Sequence, residues 1–254
     1  MADRELPITE HLAELRGRIF WVLLTWFICA AASFAWAEQI FEVLLAPATG
    51  ALGIDGKLQS IAPAEIFFTY VKSALLSGFV FALPVIFWQV WGFVAPGLYA
   101  SEKRHVVPFV FFSTLLFGGG AFFGYTIVFP IIFDFFNSFS SDFVVSAWTM
   151  AEVFSLTTRL FLAFGVAFEL PLLVFFLALA GLVTARQLFA FTPHAVLIAF
   201  VLSAMLTPPD VVSQVFLAGP MVILYLLGVG AAYVVGKLRS RAAAKEEVEG
   251  EIQA

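Results

Sequence analysis

The sequence predicts an all-α, polytopic membrane protein with six spans, several of them kinked at proline, in a concave arrangement with both termini cytoplasmic. Three observations carry this. Of the 254 residues 62% are hydrophobic and 12% charged, whereas a soluble domain is roughly half apolar and about a quarter charged. The apolar residues fall in long continuous runs, five of them long enough to cross a hydrocarbon core of about 30 Å, which takes about 20 helical residues. Finally, Lys and Arg gather on one side of the resulting topology. The alternating, roughly ten-residue segments of a membrane β-barrel are not what these runs look like.

The spans read as residues 19–37, 73–95, 106–133, 160–183, 188–206 and 211–235. The first could be confused with a cleaved leader, since Ala35-Trp36-Ala37 faintly suggests a small-residue cleavage site. Its 19 apolar residues exceed the about 7–15 of a leader's apolar region, and Trp36 is bulky, so a retained span is expected. The fifth is apolar only over 195–206 and is interrupted by Thr192, Pro193 and His194, so a short span is expected there. With six spans the termini share a side. That side holds ten of the thirteen basic residues, against Lys57, Lys72 and Arg159 opposite, which places it in the cytoplasm. The loops at 96–105 and 184–194 are then cytoplasmic, and segments 38–72 and 134–159 face outward. Residues 1–237 form one six-helix membrane domain, and 238–254 a flexible, charged cytoplasmic tail.

Pro84, Pro108, Pro130, Pro171 and Pro220 each remove a helical hydrogen bond and crowd the preceding turn, so each marks a kink or a helix end. The Gly118-Gly119-Gly120 run permits close helix approach. No internal repeat is visible, which weakens an inverted-repeat transporter.

Polar residues narrow the function. Glu169 lies near the middle of the fourth span, where an ionised carboxylate costs about 2.5–3.5 kcal/mol on insertion scales. It is either a functional group facing a wet concavity or a structural acid bonded to a neighbouring helix. Gln89, Gln214 and Thr207 need partners across helices, within the chain or from another subunit. On the cytoplasmic side, residues 11–18 read as a surface helix leading into the first span and holding Glu14 at the interface. Glu102 follows the second span on the same side. Two such carboxylates are either solvated charges paired with Arg16, Arg18 or Lys103, or a receptor for a ligand carrying two guanidinium groups. A single cysteine, Cys29, excludes an intramolecular disulfide, and three scattered histidines make a metal centre improbable. No phosphate loop, nucleophile elbow or His-Glu-x-x-His sequence occurs, so no enzymatic activity and no cofactor is expected. The net charge of −5 leaves no nucleic-acid footprint.

Four motifs then coincide: His11-Leu12-x-Glu14-Leu15-Arg16-x-Arg18; Gln89-Val90-Trp91-x-Phe93-x-Ala95-Pro96-x-Leu98-Tyr99 with Glu102; Phe164-Gly165-x-x-Phe168-Glu169-x-Pro171; and Leu206-Thr207-Pro208-Pro209-Asp210-Val211-x-Ser213-Gln214. In order and position they resemble the signatures of the TatC family over roughly residues 8–237. The resemblance implies the core subunit of the twin-arginine protein translocase of the bacterial cytoplasmic (inner) membrane. Such a protein binds twin-arginine signal peptides of folded cargo and nucleates a translocase driven by the proton-motive force. It implies six helices in a glove-like cup, with the signal-peptide site at Glu14 and Glu102 beside Arg16 and Arg18. Glu169 would lie on the concave face with Gln89 as a second intramembrane polar group. TatA- and TatB-type single-span subunits would contact the region of Thr207 and Gln214, and other copies of the chain and the lipid bilayer complete the partners. Some relatives carry an acid near Leu226, where Tyr225-Leu226-Leu227 has none. The alternative is a proton-coupled secondary transporter or channel using Glu169 as relay.

Overall fold

The computed structural model describes residues 8–52, 58–94, 106–140, 148–207 and 210–253. These residues form eight α-helices and no sheet: α1 Ile8–Ser33, α2 Ala37–Leu52, α3 Pro63–Val94, α4 Val106–Phe123, α5 Phe129–Asn137, α6 Met150–Leu179, α7 Ala185–Leu206 and α8 Val211–Gln253. A 3-10 turn over Phe34–Trp36 joins α1 to α2, and a π-helical segment over Gly124–Val128 joins α4 to α5. Six stretches are long and apolar enough to cross a membrane, from Leu12–Ala51 to Val211–Leu238. The chain is all-α with six candidate spans, as its composition predicts.

Packing divides the described chain into two units, the first built from Met1–Leu115 and Tyr125–Thr158, the second from Leu116–Gly124 and Arg159–Ala254. In the first, α1 and α3 run antiparallel. Arg18 meets Gln89, Trp26 Nε1 donates to the Leu75 carbonyl at 2.8 Å, and Gly78 lies against Ala30. The α1 helix is unbroken through residues 11–18, so the expected surface helix and the span are one rod. Within segment 38–72, residues up to Leu52 belong to α2 and residues from Pro63 to α3. In α2, Ala37, Phe41, Leu44, Leu45 and Ala48 recur at helical spacing and are buried, with Glu38 and Glu42 on the exposed face. That apolar stripe packs on α3 and α5. Tyr125 donates its hydroxyl to the Val43 carbonyl at 2.5 Å and Asn137 Nδ2 donates to Ala51 at 2.8 Å. Glu65 in the first turn of α3 accepts from the Ile61 N–H at 2.8 Å and, through its other oxygen, from the Ala151 N–H at 2.9 Å. One carboxylate thus ties the starts of α3 and α6 together. A short bridge between Gln59 and Thr149 lies beside it.

Also in the first unit, Trp91 Nε1 donates to the Ser113 hydroxyl at 2.8 Å, both residues being buried. Removing one partner strands the other, whereas removing both can be close to neutral. A double-mutant cycle of Trp91→Phe and Ser113→Ala in thermal melts should therefore show coupling of about 1 kcal/mol. Additive effects would mean the contact contributes nothing.

In the second unit α6 ends in a Schellman turn. Gly181 adopts φ 76°, its N–H meeting the Ala178 carbonyl and the Leu182 N–H the Leu177 carbonyl, both at 3.0 Å. Thr184 then caps α7, accepting from the Gln187 N–H at 3.3 Å while Gln187 Oε1 accepts from the Thr184 N–H at 2.9 Å. This capping box starts α7 earlier than expected. Its 22 residues rise about 33 Å at about 1.5 Å each. The span expected over 188–206 lies inside this helix, and the cap and a helix continuous through Pro193 bring Thr192 and His194 into the rod. Helices also remain continuous through Pro84, Pro171 and Pro220. Of the two outcomes expected at those prolines, the helix end occurs at none. Pro108 sits in the first turn of α4 and Pro130 in that of α5, where a missing N–H is tolerated.

Candidate functional site

The first unit brings three of the sequence-predicted polar residues to one place. Glu14 and Arg18 are one helical turn apart on α1, and such i,i+4 neighbours face the same way. Arg18 Nη2 donates to Glu14 Oε1 at 2.6 Å and its Nε to the same oxygen at 3.0 Å. The guanidinium also reaches α3. There Nη1 donates to Gln89 Oε1 at 3.2 Å and to the Gln89 carbonyl at 3.4 Å, and Nη2 donates to the Gly92 carbonyl at 3.0 Å. Gly92 lies in the last described turn of α3, and its carbonyl is one of the acceptors of the guanidinium. A cation there also complements the negative end of the helix dipole.

Burial strengthens the arrangement. The Arg18 side chain is 24% and that of Glu14 35% exposed, so both are partly withdrawn from water while bonded to charged or amide oxygens. Exposed ion pairs contribute little. This one is embedded in a set of acceptors from two helices, so it fixes geometry as well as neutralising charge. Gly92 shapes the pocket: a Cβ on it would stand 2.6 Å from Arg18 Nη1. The sequence reading did not single out Gly92. A usable signal was its position three residues after Gln89 on a helix, which puts both on one face.

The other predicted residues lie elsewhere or outside the description. Arg16 is exposed on α1. Glu102 lies outside the described residues, as do Lys103, Arg104, His105, Pro208 and Pro209. In the second unit, Glu169 is half-buried on α6 with its Oε1 shielded from solvent. Thr207 is buried and donates to the Ser203 carbonyl at 2.9 Å. Gln214 Nε2 donates to the Phe200 carbonyl at 2.9 Å, and the Ser203 hydroxyl donates to the Gln214 carbonyl at 2.8 Å. Of the two residues left open as partner contacts, Gln214 therefore knits α7 to α8, while Thr207 bonds back onto the last turn of α7. Asp210 caps α8, accepting from the Ser213 N–H at 2.7 Å.

Residues 10–220 match the family described as Sec-independent protein translocase protein (TatC). The chain belongs to this family. The TatC match spans Glu14, Gln89, Gly92, Glu169, Thr207 and Gln214, and so every part of the geometry above. Among relatives, the Sec-independent protein translocase protein TatC of Desulforapulum autotrophicum is 42% identical over 235 residues, covering 92% of this chain and 87% of the relative. That of Helicobacter pylori strain J99 is 40% identical over 228 residues, covering 90% of this chain and 89% of its own. The fold agrees with the crystal structure of a twin arginine translocase receptor TatC, at TM-score 0.81 and 35% identity over 89% of this chain and 99% of the other. With its six candidate spans, this TatC chain is a multi-pass membrane protein of a protein-translocase family.

Proposed function

We propose that the chain is the signal-peptide receptor of a twin-arginine translocase in the bacterial cytoplasmic membrane, with both termini cytoplasmic. Its Glu14, together with Glu102 in the segment between α3 and α4, accepts the two adjacent arginines of a signal peptide at the cytoplasmic face. Arg16 and Arg18 set the local charge around those acids. The peptide's apolar segment then lies along the spans, where Glu169 offers an intramembrane polar partner. Single-span TatA- and TatB-type subunits dock near Thr207 at the end of α7 and Gln214 in the first turn of α8. With further copies of the chain they form the proton-motive-force-driven translocase for folded cargo.

One observation carries this reading. Glu14 sits beside the end of α3 and holds a guanidinium at 2.6 Å in a partly dry setting, which is the chemistry a twin-arginine ligand requires. Kinship at 42% identity with a translocase protein favours this over a proton-coupled transporter relaying through Glu169. The test is binding of a labelled twin-arginine peptide to the detergent-solubilised full chain, beside a twin-lysine peptide. Lysine keeps the charge but loses the planar fork, so arginine should bind preferentially. Hydrogen bonds to charged groups are worth about 1.5–3 kcal/mol, and Glu14→Ala or Glu102→Ala should each weaken binding about ten- to hundredfold. Equal binding of both peptides, or indifference to both variants, would remove the site.

A further inference from the structure

The second unit holds a cavity of about 550 Å³ where the turn between α6 and α7 meets α8. Its floor is apolar: Ala178 of α6, Val183 of the turn and Ala232 of α8 pack in one cluster. Its rim is polar, with Thr184 at the start of α7 and Lys237 and Ser240 on α8. No acid lines it, and Lys237 forms no ion pair among the described residues. Within residues 170–245 five residues are basic, and the one acid, Asp210, stands at the opposite ends of α7 and α8. The cavity therefore offers an uncompensated cation above an apolar floor.

Its depth narrows the ligand. The α7 helix begins at Ala185 and the apolar stretch of α8 ends at Leu238, so Thr184 and Lys237 stand where the spans meet water. Beside the rim Leu182, Tyr233 and Leu238 are exposed, so apolar surface continues out of the cavity along the spans. A free phosphate gains nothing from that surface, whereas an acyl chain does. The volume is that of a small-ligand site, about 300–1,000 Å³.

We propose that this cavity binds the headgroup of an anionic phospholipid, its phosphate on Lys237 and its first acyl carbons over the floor. The inference goes beyond the receptor reading, which uses neither Lys237 nor the cavity; only the choice of leaflet, the cytoplasmic one, follows the orientation proposed above. Basic pockets between spans on that side suit such headgroups. The Thr184 hydroxyl is engaged by Gln187 Oε1 at 3.0 Å, which leaves the three Lys237 donors and the Ala185 N–H, a first-turn donor without a helical acceptor, for the phosphate. A headgroup seated there joins the start of α7 to α8.

A built site and diffuse attraction of anionic lipid to nearby cations predict different patterns. Arg241 is exposed one turn further along α8. In a built site Lys237→Gln weakens the lipid about fivefold, the worth of one cation at an anionic surface. Lys237→Arg keeps the affinity, and Arg241→Gln changes it by less than about twofold, being further into screening solvent. A Cβ on Gly236, in the cavity wall, meets nothing within 4 Å. Gly236→Leu therefore grows into open space and should weaken the lipid about tenfold, the worth of roughly two methylenes kept off the floor.

The experiment titrates phosphatidylglycerol onto the full chain in neutral detergent, beside phosphatidylcholine and glycerol 3-phosphate. Melting temperature and native mass spectrometry are the readouts, and lipid-free melts of the exposed-site variants check that they fold. Selective stabilisation and retention of phosphatidylglycerol, reduced in Lys237→Gln and Gly236→Leu and kept in Lys237→Arg, supports the site. An equal response to phosphatidylcholine, an equal response to glycerol 3-phosphate, or equal losses in Lys237→Gln and Arg241→Gln overturns it. None of these outcomes bears on the receptor reading, which is decided by the Glu14 and Glu102 variants.

Discussion

Gly78→Ala is expected to force α1 away from α3 and to destabilise the first unit by about 1–3 kcal/mol or more, the usual cost of overpacking a tight contact. Alanine is the better helix former by about 1 kcal/mol, so on propensity alone the substitution would stabilise. Packing reverses the sign. A Cβ at 78 would stand 2.5 Å from the Ala30 Cα and 2.7 Å from its Cβ, and no rotation of a flexible side chain relieves a clash with backbone. Ordinary van der Waals contacts lie at 3.4–4 Å, so the α1 backbone has to retreat by roughly an ångström to restore one. The same helix pair carries Arg18 and Gln89, and the shift loosens those bonds too. Thermal unfolding of the purified protein is the measurement, with Gly118→Ala as control because nothing lies within 4 Å of that position. The control should be neutral or gain up to about 1 kcal/mol. If Gly78→Ala behaves like the control, the close α1–α3 crossing is wrong.

In the second unit Gly165→Ala should cost a similar amount through another mechanism. The Phe117 ring fills the space above Gly165, and an added Cβ would meet its ring carbons at 2.5 to 2.7 Å. Phe117 is 2% exposed, so the ring has nowhere to go. The fit is reciprocal: a Cβ on Gly120 would meet Phe168 Cγ at 2.7 Å and the Phe164 carbonyl. Rings from each helix therefore sit in glycine notches of the other. Phe117→Ala alone empties the notch and costs about 3–5 kcal/mol. In the double variant the new methyl enters space the ring has vacated, so the penalties should fall short of their sum by at least about 1 kcal/mol. Strict additivity in thermal melts would rule out the ring-in-notch contact. Glu169 lies one turn beyond Gly165 on the same face of α6, so the proposed intramembrane polar group moves with it. Gly165→Ala should consequently reduce cargo export in cells as well as stability.

The membrane-spanning, all-helical character and the number of spans follow from composition and run length, because bilayer thickness and backbone satisfaction leave so few solutions. Glu169, Gln89, Thr207 and Gln214 also stood out, because polar groups in or beside apolar stretches are costly enough to be conspicuous, and Glu14 stood out as a carboxylate held at the cytoplasmic interface. Their partners did not. Thr207 and Gln214 bond within the α7–α8 pair, a distinction between intramolecular and intersubunit contact that residue type alone cannot make. The extent of α7 turned on a capping box between Thr184 and Gln187, a local signal overshadowed by the polar residues around Pro193. Within α3, Gly92 reads as one more glycine in a span, and its meaning appears only when Arg18 from α1, 74 residues away in sequence, lies over it.

Hydrophobicity and charge placement are properties of each residue and its near neighbours, so the sequence by itself determined the membrane class, the number of spans and the polar residues worth examining. Which oxygens surround Arg18, and which glycines admit a ring or a second backbone, depends on helix pairs that meet across many residues. Close packing allows one such arrangement to within a fraction of an ångström, and only the tertiary structure decided it.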